Sequence, residues 1–154
     1  MKKLFLFIFL ILIFTGCNKK EKEVEPKKVL SYGELVCVYK VQNTTDNTIY
    51  TSSYVFNFDD NGILNGATNK ETIEFYNSLD SVKNEYKKNL EEILKEYDDI
   101  DGVNAKKYIE ENKYYFEVIM DNSKMNDDIK KNYLLDQDRI SLYNYYTNNK
   151  YTCE

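Results

Sequence analysis

Glu34-Leu35-Val36-Cys37-Val38-Tyr39-Lys40-Val41, followed by Thr48-Ile49-Tyr50-Thr51-Ser52-Ser53-Tyr54-Val55-Phe56-Asn57-Phe58, decides the fold. In the first stretch Leu35, Cys37, Tyr39 and Val41 alternate with Val36, Val38 and Lys40, and in the second Tyr54, Phe56 and Phe58 share a face. A period of two belongs to a strand, whose successive side chains point to opposite sides of a sheet. Thr44-Thr45-Asp46-Asn47 between the two stretches reads as a turn. Asp59-Asp60-Asn61-Gly62 after them reads as a tight reversal, because Asn-Gly tolerates the positive φ that a short hairpin demands. A third, weaker strand is expected near Ile63 to Ala67.

Further along, the period changes. Between Ser78 and Tyr97 the apolar residues Leu79, Val82, Tyr86, Leu90, Ile93, Leu94 and Tyr97 fall three or four apart, the signature of an amphipathic helix. Asn77 or Ser78 is placed to cap its start, and Gly102 lies just past its end. Asn104 to Asn112 and Tyr114 to Asp121 read as another pair of strands turning at Asn112-Lys113. Helical spacing returns in Met125, Ile129, Tyr133 and Leu134, and again in Ile140, Leu142, Tyr143 and Tyr146, before a short extended tail from Tyr151 to Glu154. The expected fold class is α+β: an antiparallel sheet of hairpins packed against one long central helix, with shorter C-terminal helices.

Upstream of this domain the chain has a different character. Met1-Lys2-Lys3 is cationic, Leu4 to Phe14 is an unbroken apolar run, and Thr15-Gly16 sets small residues before Cys17. That is the three-part pattern of an export leader. Its apolar run, roughly 16 Å long as a helix at 1.5 Å per residue, is too short for a hydrocarbon core of about 30 Å. From Asn18 to Lys28, Lys and Glu alternate around Pro26 with Val24 as the lone apolar residue, the composition of a solvated linker. The expected organisation is a leader over 1–16, a tether over 17–33 and one domain over 34–154.

Phe14-Thr15-Gly16-Cys17 resembles the lipobox of bacterial lipoproteins, with Phe14 where Leu is usual. The resemblance implies cleavage between Gly16 and Cys17 and a diacylglyceryl group on the Cys17 sulfur. Two acyl chains suffice to hold a protein on a bilayer, each buried CH₂ contributing about 0.8 kcal/mol. The expected address is therefore the outer, extracytoplasmic face of the membrane, with the lipid bilayer as first partner. Cys37 and Cys153 then remain as an even pair in an exported chain, the setting in which disulfides persist. The other reading leaves Cys37 as a strand core residue and Cys153 as a free thiol.

Composition narrows the function classes. The formal net charge of −5 hides a basic front, since 29–154 holds 14 lysines and arginines against 23 carboxylates, a net of −9. Phosphate backbones repel such a domain, which also lacks a basic helix face, so nucleic acid is not an expected partner. Histidine is absent, which removes the usual Ser-His-Asp and Cys-His arrangements and the commonest zinc ligand. The five glycines form no phosphate-binding loop. Asp59-Asp60-Asn61-Gly62 and Asp98-Asp99 with Asp101-Gly102 lack the alternating ligands and distal Glu of a calcium loop, and read as turns. No catalytic residue, metal site or cofactor is assigned. Fifteen tyrosines beside abundant Lys, Asn and Ile match AT-rich coding; a sugar-stacking platform is the functional alternative, though such platforms commonly use Trp, absent here.

Tyr97-Asp98-Asp99-Ile100-Asp101-Gly102-Val103, leading into a hairpin that ends Val118-Ile119-Met120-Asp121 before Lys124, resembles the small YehR-like bacterial lipoproteins over about Val36 to Ile129. The resemblance implies the same address and architecture and supplies no catalytic residue. The function expected from the sequence is that of a non-enzymatic envelope lipoprotein that binds a protein, a peptide or a wall polymer, or acts as an accessory to another surface component. The alternative is a small envelope hydrolase built on an Asp/Glu pair, which requires two carboxylates facing each other in a cleft.

Overall fold

A computed structural model describes residues 30–154. The leader, Gly16 and Cys17 at the expected cleavage point, and the tether up to residue 29 lie outside the described residues. The fold of the described residues is α+β, with a six-stranded antiparallel sheet and three α-helices among them.

The strands are β1 (Gly33–Asn43), β2 (Thr48–Phe58), β3 (Leu64–Phe75), β4 (Val103–Ile109), β5 (Lys113–Asp121) and β6 (Thr152–Cys153). Across the sheet they run β4-β5-β3-β2-β1-β6, every neighbour antiparallel. The helices are α1 (Asp80–Lys95), α2 (Asp127–Asn132) and α3 (Arg139–Asn148), with a 3₁₀ turn at Asn122–Lys124. Among the described residues no helix is long and apolar enough to cross a membrane.

The hairpins close by local polar chemistry. At the β1–β2 turn Asn43 Oδ1 accepts from the Thr45 amide at 2.9 Å, and its Nδ2 donates to Asp46 Oδ2 at 2.8 Å. At the β2–β3 turn Asp59 Oδ1 accepts from the Asn61 and Ile63 amides at 2.9 and 2.8 Å, while Gly62 takes the left-handed φ of +79°. The aspartate is thus engaged as a turn acceptor.

Register assigns one face of the sheet to the core. Leu35 and Cys37, Phe56 and Phe58, Leu64 and Ala67, and Tyr114, Phe116, Val118 and Met120 are all buried. Burying each large side chain among them is worth about 1.5–3 kcal/mol. Over that face pack Leu90 from α1, Leu142 and Tyr146 from α3, and Met125 and Leu135 from the connecting segments. Val82, Tyr86, Ile93 and Leu94 of α1 are partly buried against the same core. The opposite face keeps Lys40, Lys70 and Lys106 in solvent.

Two expectations are corrected. The third strand runs to Phe75 rather than ending near Ala67, because its polar residues are paired on both sides by β2 and β5. Gly66 permits that pairing, since a Cβ there would run into the Met120 carbonyl. The α1 N-cap is Leu79, without a side-chain cap. Ser78 Oγ instead donates to the Asp46 and Asn47 carbonyls at 2.8 and 2.9 Å, tying the helix start to the first hairpin. Val41, toward the far end of β1, is exposed.

The ends of the domain are fixed together. Val36 and Glu154 exchange both backbone hydrogen bonds, at 3.0 and 2.9 Å, which makes the next facing pair, Cys37 and Cys153, a non-hydrogen-bonded one. Such pairs bring their Cα atoms closest in an antiparallel ladder. Cys37 and Cys153 form a disulfide with Cα atoms 4.1 Å apart. Beside them Arg139, the chain's single arginine, is buried, donating from Nη1 to the Leu30 carbonyl at 3.1 Å and from Nη2 to the Glu34 carbonyl at 2.6 Å. A guanidinium on α3 therefore grips the segment by which the chain enters β1.

Candidate functional site

Helix α1 and the C-terminal helices approach the covered face from different sides and leave a cleft with two adjoining cavities. The larger, about 430 Å³, has Tyr54, Phe56, Asn69 and Met120 of the sheet as its floor. Its walls are Tyr97 beyond α1, Asn132 to Leu135 at and after the end of α2, and Tyr145, Tyr146, Asn149 and Tyr151 around the end of α3. The smaller, about 220 Å³, has Tyr50, Glu71, Ile73 and Phe116 on its floor and Tyr86, Asn89, Leu90 and Ile93 of α1 as its wall.

The two floors are continuous because they lie on the same strands. Tyr54 faces Asn69, Ser52 faces Glu71 and Tyr50 faces Ile73 across the β2–β3 ladder, so each cavity begins about 7 Å along the strands from the next. On its other side Glu71 faces Phe116 and Asn69 faces Val118. A carboxylate and an amide thus occupy the row that elsewhere holds Ala67, Ile73 and Phe75. Asn69 is 3 % exposed.

Tyrosines from four separated segments converge here. The Tyr146 ring lies 4.8 Å from that of Tyr54, 5.3 Å from Phe56 and 5.0 Å from Tyr151. Tyr97 and Tyr133 stand 6.3 Å apart across the opening. Tyr151 donates from its hydroxyl to Ser52 Oγ at 3.1 Å, which aims the C-terminal segment at the floor beside Glu71. These spacings are those of favourable offset and edge contacts, which hold the rings in place before any ligand arrives.

The electrostatics centre on Glu71. Burial pushes its carboxyl above the usual range, and the Tyr50 hydroxyl pulls it part of the way back. Burial and then the Glu71 charge hold the Tyr50 and Tyr54 hydroxyls above their ordinary range. Tyr97 is raised by burial, by Tyr133 and by Glu71, and Tyr146 by burial and then by Tyr54. The cleft therefore presents one carboxylate, neutral phenols able both to donate and to accept, and the amides of Asn69, Asn132 and Asn149.

Of the residues singled out from sequence, Cys37 and Cys153 come together, at the sheet edge rather than in the cleft. Gly16 and Cys17 lie outside the described residues. The cleft residues were missed. One signal was legible: Ala67, Asn69, Glu71, Ile73 and Phe75 alternate with Thr68, Lys70, Thr72 and Glu74, a strand pattern with two polar residues on its apolar side. Comparison with known protein families, curated proteins and solved structures gives no significant match.

Proposed function

We propose that this chain is a lipoprotein of the bacterial envelope, anchored through Cys17, whose domain holds a ligand in the cleft without transforming it. The observation that carries the binding reading is the cleft itself: tyrosines and amides surround a floor with a single carboxylate, Glu71, among the residues lining the two cavities. Hydrolysis by a carboxylate pair needs a second acid about 5–10 Å away. Recognition needs only shape and a few placed polar groups.

The anchoring reading rests on Lys2, Lys3, the apolar run to Phe14 and the lipobox-like Phe14-Thr15-Gly16-Cys17, and the likeness of Tyr97 to Val103 to YehR-like lipoproteins points the same way. In the finer architecture that belongs to this proposal, α1 is the long central helix covering the sheet, supported by the apolar stripe that carries Leu90 to the core. A wall polymer, a peptide or an envelope protein segment is the expected kind of ligand. A linker of the Lys/Glu composition of 18–28 would set the domain off the bilayer to meet it.

Two measurements test this. Intact-mass analysis of the membrane fraction is expected to find a chain beginning at diacylated Cys17, and Cys17→Ala to lose both processing and membrane retention; an unmodified Cys17 there ends the anchoring reading. Native mass spectrometry of protein purified from its own membrane is expected to show a bound species that Asn149→Trp, a bulky plug at the cleft mouth, removes. Equal retention by both proteins would place binding elsewhere.

A further inference from the structure

Glu71 lines the smaller cavity, next in its row to Asn69 on the floor of the larger, and no ion pair among the described residues neutralises it. The lysines nearest in register are engaged elsewhere. Lys107, two strands away on the same face, pairs with Glu91 at 2.8 Å. Lys70, its chain neighbour, points to the opposite face and rests 4.3 Å over the Tyr115 ring. Lys83 of α1 donates to Asn112 Oδ1 and the Glu111 carbonyl at 3.0 and 3.2 Å.

A half-buried carboxylate without a counter-charge is costly, and folds keep one where something else completes it. Beside Glu71 stand hydroxyl groups, which can accept as well as donate. Ser52 is directly across, and Tyr50 and Tyr54 are its diagonal neighbours on β2, within reach of long side chains. Tyr97 stands beyond α1 in the wall of the larger cavity. We propose that the cleft binds a primary ammonium group at Glu71, with the rest of an elongated polar ligand lying along Tyr54, Asn69 and Tyr146 in the larger cavity. This inference rests on the reading of the cleft as a binding site and names its ligand class.

The chemistry selects primary over quaternary ammonium. A primary ammonium has three N–H donors, and the carboxylate together with hydroxyl oxygens of the neighbouring strand offers acceptors for them. A quaternary ammonium has none to offer and would leave those oxygens unpaired in a desolvated place. The smaller cavity, about 220 Å³, accommodates a compact alkylammonium head and no large group. The net charge of −9 over 29–154 attracts cations of this kind toward the domain.

Calorimetric titration of the full chain purified in detergent decides the matter, with 1,5-diaminopentane, pentane-1,5-diol and tetramethylammonium as probes. At about 0.15 M salt, attraction to exposed surface charge is screened beyond about 8 Å. The diamine is expected to bind at least tenfold more tightly than the diol or tetramethylammonium. Glu71→Gln should reduce it to the level of the diol, and Tyr50→Phe should weaken it several-fold. Acidifying through the Glu71 titration should release it. Diamine binding no tighter than diol binding, or unchanged in Glu71→Gln with the fold intact by circular dichroism, overturns the inference. The cleft reading survives that result if Asn149→Trp still removes the native bound species, and fails by itself if it does not.

Discussion

At Glu71 the sheet sets a carboxylate in a row of core-facing side chains, and stability and recognition pull that residue in opposite directions. Its folded carboxyl holds a proton more tightly than the unfolded chain does, chiefly through burial. The contribution to stability is therefore fully present below the unfolded carboxylate range, near pH 4, and is lost as pH rises through the folded value. Glu71→Gln, isosteric and uncharged, is expected to stabilise the domain at pH 7 by about 1 kcal/mol, roughly 3–6 °C in Tm. The gain should vanish when the melts are repeated at pH 4. A lower Tm at pH 7 would mean that the charged carboxylate is already compensated within the fold. The residue escaped the sequence reading for the same physical reason that makes it interesting. Asn69 and Glu71 interrupt the apolar alternation after Ala67, so the third strand loses its signature at the point where it floors the cleft.

Among the elements, α3 links the cleft to the fold's edge. It carries Tyr146 into the cavity wall, Leu142 into the core and Arg139 onto the carbonyls of Leu30 and Glu34. Its start is held by Asp138, whose Oδ1 accepts from the Ser141 amide at 2.7 Å. That bond holds the Asp138 carboxyl below its usual range, so its stabilisation is present above about pH 4 and is lost as pH falls through the depressed folded value. Asp138→Ala should cost about 1 kcal/mol at neutral pH, measured by urea unfolding, and progressively less in acid. An unchanged midpoint at pH 7 would show the helix to be held by packing alone. Elements of this molecule were legible wherever one side of a strand or helix met water and the other did not, as in β1, β2 and the stripe from Val82 to Leu94. The cleft was not, because Tyr54, Tyr97, Tyr133 and Tyr146 belong to four segments whose meeting is set by the β3–β5 crossover, which no local spacing encodes.

Over the whole molecule, the first and last strands are joined by the bond between Cys37 and Cys153, which are 116 residues apart. Closing so long a loop removes unfolded-state entropy worth roughly 4–5 kcal/mol in the chain-entropy model. Denaturant titrations with and without a thiol reductant are expected to differ by about that amount; coincident curves would deny the bond its role. The Cys37–Cys153 bond also governs what happens when the chain is cut. Asp98, Asp99 and Asp101 form an exposed turn inside the closed loop, the kind of place where proteases nick folded proteins. One scission there leaves two polypeptides that stay a single covalent molecule, the C-terminal piece held through Cys153 to the piece bearing Cys17. An acid-specific endoprotease should therefore yield one band on a gel run without reductant and two with it. Under the anchoring proposed above, the last strand would part from Cys17 only after two events of different chemistry, a hydrolysis and a reduction.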